Sequence, residues 1–471
     1  MYLLRTKPAT LQLPMQPKKP VRIAIIGAGA SGTLLTAQLC MLQAGVTTDI
    51  YLIDTPQNIG RGLAYSTQQP LHLLNVPAAK ISALPGMPDH FVSWLARQKL
   101  PFAASDFVPR QLYGQYLADT LEKSLANKPA SVSFTQVPAL ATAIEIRNNS
   151  KVVLLTDGTE IAADKVVLAL GNFRPGNPAP CLTTLPPGMY AADPWAEEAL
   201  DKVQANDPVL LIGSGLTMAD VLMSLYARNH TGPVLAVSRH GTLPHIHMAT
   251  APYTNIAGEA AQITSVRDWF LFIRRHVQLA AEQGLCWRSV VDAFRPHAQS
   301  FWQKLPNHEK SAFLRHLQYI WTVSRHRMPP ATAAIVNQLL ESGQLKVLAG
   351  RIRDANVING KAVVSISIRK GNTMVFKAAR VINCTGPESD YRKADSRLVQ
   401  DLLLKGFISP DPLFLGLAAL PDGHLLSADQ TPHDWLFSLG PPLKGVLWES
   451  TAIAEIADQA AKLAATLVRN R

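Results

Sequence analysis

Gly27, Gly29 and Gly32 stand at the spacing G-x-G-x-x-G, and Asp54 follows 22 residues after the last of them. That set suits a pyrophosphate-bearing dinucleotide. Gly27 permits a tight turn, Gly29 lets a phosphate approach the backbone, and Gly32 lets a helix pack close to a sheet. Ser31 lies inside the turn. The phosphates then meet open amides at the helix N-terminus, and Asp54 can accept ribose hydroxyls.

A second set has the same grammar. Gly213 and Gly215 are followed by Thr217, Met218 and Asp220. Met218 holds the place of the third glycine, so the packing of helix on strand is expected to be looser here. The next strand, Val234 to Val237, ends in Ser238-Arg239-His240 and carries no acid. An NAD site usually places an Asp or Glu there for the ribose 2′-hydroxyl. Arg239 suits a 2′-phosphate instead, which predicts a preference for NADPH over NADH.

These residues need particular elements to hold them. Val21–Ile26 is an apolar run that reads as a buried parallel strand. Thr33 to Gln43 suits a helix that Gly45 ends, and Thr48 to Ile53 reads as the next strand. Asp89 is expected to cap a helix from His90 to Gln98, and another starts at Pro109. Ser131 to Val137 alternates as a strand, and Ala143 to Ile146 with Val152 to Thr156 reads as a hairpin. Lys165 to Gly171 and Arg380 to Gly386 are apolar strands ending in glycine. The second of these predicts that the chain returns to the first domain there. Residues 260 to 340 carry apolar residues at helical spacing and read as a helical insertion. A final helix is expected from Trp448.

The resulting expectation is an α/β protein with two Rossmann-like dinucleotide-binding domains and a helical insertion. Residues 1–20 read as a disordered lead-in. The first domain takes 21–200 and returns over 376–471, and the second takes 201–375.

Composition narrows the function. A hydrophobic content of 47% with 17% charged residues describes a soluble globular chain, and no run reaches the roughly 18 apolar residues of a membrane span. The expected compartment is the cytoplasm. The net charge is +11, but the basic residues are scattered rather than blocked, which argues against a nucleic-acid partner. None of Cys40, Cys181, Cys286 and Cys384 lies within five residues of another, so no C-x-x-C redox or zinc pair is present. His245 and His247 have a possible ligand spacing with no third ligand near them, so no metal site is expected.

Several further stretches carry a resemblance: Gly62-x-Ala64-Tyr65, His72-Leu73-Leu74-Asn75-Val76-Pro77-Ala78, Asp89-His90-Phe91, Pro109-Arg110-x-x-Tyr113-Gly114-x-Tyr116-Leu117 and Arg325-His326-Arg327-Met328. With the two glycine motifs, they make the chain resemble the bacterial FAD/NAD(P)-binding family of two-dinucleotide-binding flavoproteins. That family is distantly akin to the flavin-containing and N-hydroxylating monooxygenases. The resemblance implies that Gly27, Gly29, Ser31, Gly32 and Asp54 hold FAD and that the backbone of Val137 reads the adenine. Gly171 and Gly386 would be strand ends near FAD. Gly213, Gly215, Thr217, Asp220 and Arg239 would hold NADPH. His72 and Asn75 would lie by the flavin ring as the candidate catalytic residues, hydrogen-bonding the isoalloxazine, the nicotinamide or the substrate, and Arg325 and Arg327 would bind an anionic group of the substrate.

The implied function is an FAD-dependent oxidoreductase reduced by NADPH. The leading form is a monooxygenase that uses molecular oxygen, through a C4a-hydroperoxyflavin, on a small polar molecule such as an amine. The alternatives are an NAD(P)H dehydrogenase passing electrons to a carrier or quinone, and a flavin-binding regulatory protein without turnover.

Overall fold

The computed structural model describes residues 19–42, 45–254, 256, 258, 263–368 and 371–469. The expected lead-in over 1–18, the helix end at Gln43 and the start of the insertion at 260–262 lie outside them.

Along the chain the strands are β1 (Val21–Ile26), β2 (Thr48–Ile53), β3 (Val132–Val137), β4 (Ala141–Arg147), β5 (Ser150–Leu155), β6 (Glu160–Ala163), β7 (Lys165–Leu168), β8 (Tyr190–Ala191), β9 (Val209–Ile212), β10 (Val234–Ser238), β11 (Leu345–Ile358), β12 (Lys361–Ile368), β13 (Thr373–Ala378), β14 (Arg380–Asn383), β15 (His424–Leu426) and β16 (Pro432–Ser438). Three helices position the site: α1 (Ala30–Met41), α2 (Leu216–Ala227) and α3 (Ile453–Leu467).

The first sheet has the order β15-β16-β7-β1-β2-β3. All its pairings are parallel except β15 with β16. A parallel sheet is covered on both faces, so its strands read as continuous apolar runs. In β1, Ile23 and Ile25 enter the core beneath α1, α3 and the helix Arg110–Ala126. Ala24 and Ile26 face the opposite core, with Ile144, Val153, Leu398 and Leu402. Each fully buried Ile or Leu contributes about 1.5–3 kcal/mol. The small sheet β4-β5-β6 contributes to that second core.

The second sheet has the order β13-β12-β11-β10-β9-β14-β8. Its strands β8, β14, β9, β10 and the start of β11 run parallel, and β11, β12 and β13 form an antiparallel meander. Here the expectation for Arg380–Gly386 is corrected. β14 pairs with β9 and β8 in the second sheet, and the chain rejoins the first sheet only at β15 and β16. An apolar strand ending in glycine reads alike in either sheet, because its partners are distant in sequence.

The insertion comprises helices Val266–Glu282, Trp287–Phe294, Ala298–Lys304, Asn307–His316 and Gln318–Arg325. Ser265 caps the first through its hydroxyl, which accepts from Asp268 N at 3.1 Å. The helices bury Trp269, Phe294, Phe301, Phe313 and Trp321 together. Trp302 stacks on Trp448 with ring centroids 4.8 Å apart, which ties the insertion to the C-terminal segment. The helix Pro330–Glu341 packs instead on α2 within the second unit's core. Two local expectations also change. Asp89 makes no side-chain cap, and Trp448 has φ +59°, so the last long helix begins five residues later, at Ile453.

Candidate active site

The first glycine turn is fixed by contacts that leave no room for side chains. A Cβ on Gly27, whose φ is +106°, would lie 2.4 Å from Ala169 O. One on Gly32 would lie 1.8 Å from Gly27 O. Gly29 is the N-cap of α1 and offers no side-chain partner to the first-turn amides, which have no intrahelical acceptor. These amides border a cavity of about 350 Å³ lined by Gly27, Gly29, Ser31, Asp54, Asn58 and Gly171 among others. Asp54 serves the turn itself: its carboxylate accepts from Ala28 N at 2.8 Å, Thr55 N at 2.7 Å and Asn58 Nδ2 at 2.8 Å. Val137 ends β3 beside it, with its carbonyl accepting from Asp54 N at 3.1 Å. A cradle of open amides behind glycines that tolerate no side chain fits a pyrophosphate.

The second turn repeats this at β9 and α2. A Cβ on Gly213, with φ +117°, would lie 2.3 Å from Cys384 O, whereas one on Gly215 would meet nothing within 4 Å. Gly215 therefore borders open space, a cavity of about 1010 Å³ that Thr217, Arg239, Arg351, Arg353 and Gly386 also line. Arg239, Arg351 and Arg353 are exposed and make no ion pair among the described residues. Arg239 follows β10, and β11 lies parallel beside it with Ser238 opposite Ala349. The three arginines thus lie just past the point where the parallel pairing of β10 with β11 ends, the side on which such sheets bind ligands. Ser238 ends β10 and braces the turn that follows: its hydroxyl accepts from Gly241 N at 2.9 Å and lies 2.8 Å from Ser214 Oγ.

A third cavity, about 190 Å³, lies between them. Lys80, Arg110, Arg295 and Arg325 line it with Tyr65 and Asn75. Arg325 is buried, with Nε 3.3 Å from Glu449 and Nη2 3.9 Å from Glu455. Neither nitrogen makes an aligned hydrogen bond, so both retain donor capacity. His326 lines this cavity and the second one. Burial, with Arg325, Lys444 and Arg295 nearby, holds its imidazole neutral by lowering its pKa to about 3. Thr451 lines all three cavities.

Residues 24–173 match the model of the FAD-NAD(P)-binding family. They form an FAD/NAD(P)-binding domain. The L-lysine 6-monooxygenase of Pseudomonas syringae superposes with a TM-score of 0.65 at 15% identity, covering 95% of this chain and 99% of that one. The ornithine N-hydroxylase of Kutzneria sp. 744, solved with reduced FAD, NADP⁺ and L-ornithine, superposes at 0.63 with 14% identity, covering 95% and 99%. This chain has the two-dinucleotide flavoprotein fold. The L-aspartate N-monooxygenase (nitrosuccinate-forming) of Streptomyces davaonensis is 27% identical over 258 residues, 43% of this chain and 38% of that protein. The chain thus spans less than two fifths of that relative's length.

Within this flavoprotein fold, several expected site residues have other work. His72 is buried and saturated: Nδ1 lies 2.7 Å from Thr67 Oγ1, and Nε2 lies 2.8 Å from Asp220 O and 2.9 Å from Ser224 Oγ. It joins two units and faces none of the three cavities, so the expected role beside the flavin ring does not hold. Asp220 faces the first unit, not the second cavity, and pairs with Arg110 at 2.8 Å. Arg327 is buried against Asp292, with two bonds of 2.9 and 3.0 Å, and lies over Trp287. It holds the insertion together and does not reach the third cavity, unlike Arg325. Gly386 lines the second cavity rather than the first.

The sequence reading did not single out Asn58, Lys80, Arg295, Arg351, Arg353 or Thr451 for the site. Arg351 and Arg353 had a usable signal, since they follow the parallel part of a strand at its carboxyl end. Thr451 had none, because three separate segments meet there.

Proposed function

We propose that the protein is an FAD-dependent, NADPH-reduced monooxygenase that hydroxylates the nitrogen of a small amine bearing an anionic group. The observation behind this reading is the meeting of the three cavities at Thr451, with cations lining the smallest. The first cavity would take FAD through the α1 amides and Asn58. The second would take NADPH, with Arg239, Arg351 and Arg353 on its 2′-phosphate. The third would take the substrate, its anionic group held by Lys80 and Arg325 and its amine near Asn75.

FAD, once reduced by NADPH, supplies the activation of molecular oxygen. The chain's own residues bind, orient and exclude water. Trp321 and Trp448 wall the second cavity, and the neutral His326 can accept a hydrogen bond without adding a charge that repels an ammonium group. The cations favour a substrate with a carboxylate, and the N-hydroxylating relatives support an amine. Among the described residues no helix is long and apolar enough to cross a membrane. We assign the reaction to the cytoplasm on its need for NADPH and on four free cysteines.

The test is a panel of L-aspartate, L-glutamate, L-ornithine and L-lysine, with NADPH consumption, peroxide release and N-oxygenated product measured together. Product formation from one of these, in step with NADPH use, is expected. Oxidation of NADPH with all of the oxygen recovered as peroxide for every amine would refute the reading.

A further inference from the structure

Arg110 stands in a stretch to which the reading above gives no role of its own, and its side chain is held from two sides. Nη1 lies 2.8 Å from Asp220 Oδ2, and Nε donates to Leu73 O at 3.0 Å. Its backbone N–H donates to His72 O at 2.8 Å. His72 in turn reaches Asp220 O and Ser224 Oγ on α2. Trp195 lies beneath the Arg110 guanidinium at 5.9 Å and edge-on to the His72 ring at 5.7 Å. Segment 67–76, which carries Asn75, is thereby fastened to the helix of the second glycine motif.

An arginine has five N–H donors in a rigid fork. Asp220 and Leu73 engage two of its nitrogens, Nη1 and Nε, and Arg110 also lines the small cavity. Asp220 is itself buried. Burial pushes its carboxyl up, and the adjoining Arg110 opposes that shift. The pair is therefore oriented from α2, outside the small cavity.

We propose that Arg110 recognises the anionic group of the substrate in the small cavity, and that Asp220 is the positioning residue for Arg110 rather than a dinucleotide contact. This rests on reading that cavity as the substrate site. Arg295 and Arg325 sit opposite carboxylates of Glu455 and Glu449 on the C-terminal side. Arg110 is anchored from the opposite unit, so it fixes the anionic end of a ligand relative to α2.

The test uses FAD-loaded full-length protein: wild type, Arg110→Lys, Asp220→Asn and Asp220→Glu. Binding of the four amino acids named above is measured by calorimetry, steady-state kinetics are measured for any that turns over, and hydrogen exchange is followed over 67–76. Arg110→Lys and Asp220→Asn should weaken amino-acid binding about ten- to a hundred-fold, with kcat changed far less than KM. Asp220→Glu should restore binding to within about threefold. Exchange over 67–76 should rise in Asp220→Asn and return in Asp220→Glu.

If Asp220→Asn raises the KM for NADPH but leaves amino-acid binding unchanged, the proposal is overturned. Wild-type protein that binds none of the four overturns the recognition half, and unchanged exchange over 67–76 overturns the positioning half. If Asp220→Asn fails to fold, Arg110→Lys and Asp220→Glu still decide between the outcomes. Binding without N-oxygenation would sink the proposed reaction while leaving Arg110 as the recognising group.

Discussion

The Asp54 carboxylate accepts the Ala28 N–H at 2.8 Å, so the acid at the tip of β2 shapes the glycine turn it faces. A buried carboxylate that also accepts from Thr55 N and Asn58 Nδ2 is a structural anchor of the turn. Asp54→Ala should leave the Ala28 amide unpaired, at a cost of about 1–3 kcal/mol. The expected result is a lower melting temperature together with loss of FAD on gel filtration. Asp54→Ala protein that melts like wild type would show that the turn holds without this bond.

Gly32 and Gly215 should fail in different ways. A Cβ at Gly32 strikes Gly27 O, which is backbone and cannot move aside. Gly32→Ala should therefore yield poorly folded, FAD-free protein. The Cβ position at Gly215 is clear of protein, so Gly215→Val should fold and keep FAD while flavin reduction by NADPH becomes slow. Equal FAD loss in both variants would contradict this division of labour.

NADPH preference should depend on the arginine cluster rather than on Arg239 alone. Charge-assisted hydrogen bonds contribute about 1.5–3 kcal/mol each, so Arg239→Ala and Arg353→Ala should each lower the NADPH-to-NADH ratio about tenfold or more. The double variant should come near parity. The readout is the rate of anaerobic flavin reduction with each nucleotide, and a wild type that uses both equally would end the proposal.

Stability should fall in mild acid. His326 titrates near 3 in the folded chain and near 6.5 when unfolded. Between these values the unfolded chain binds a proton that the folded chain refuses, so stability present above pH 6.5 is lost as pH falls toward 3. His326 alone accounts for about 1 kcal/mol between pH 7.5 and 5.5. Burial also lowers the His72, His245 and His247 values, in the same sense. The melting temperature should drop between those pH values, and by less in His326→Gln. An identical drop in both proteins would assign the effect elsewhere.

What could be read from the chain was what is local. The turn at Gly27–Gly32 and its repeat at Gly213–Gly215 are set by neighbours within one βαβ unit, so residue order alone reveals them. Residue order alone places β14 in the wrong sheet because strand pairing is decided by distant segments: Val381 meets Leu210 on one side and Tyr190 on the other. His72 reads as a catalytic candidate beside the flavin and Asp220 as a dinucleotide contact for the same reason. Their bond spans 148 residues, and a polar side chain near a glycine motif looks the same whether it faces a ligand or another helix. Arg325 and Arg327 stand two residues apart at the end of one helix, yet only the fold decides that one lines a cavity and the other binds Asp292.

The second sheet draws its strands from one continuous stretch of chain, β8 to β14, and those two end strands lie side by side, with Ile382 opposite Ala191. Such a unit is attached by two neighbouring threads, the layout of a module spliced into a host gene. It could be exchanged between relatives as a single cassette to alter nicotinamide choice. The graft would succeed only if its helical insertion still met the host's Trp448 and Glu455, because Trp302 and Arg295 are matched to them. Nucleotide preference and C-terminal sequence should therefore be inherited together.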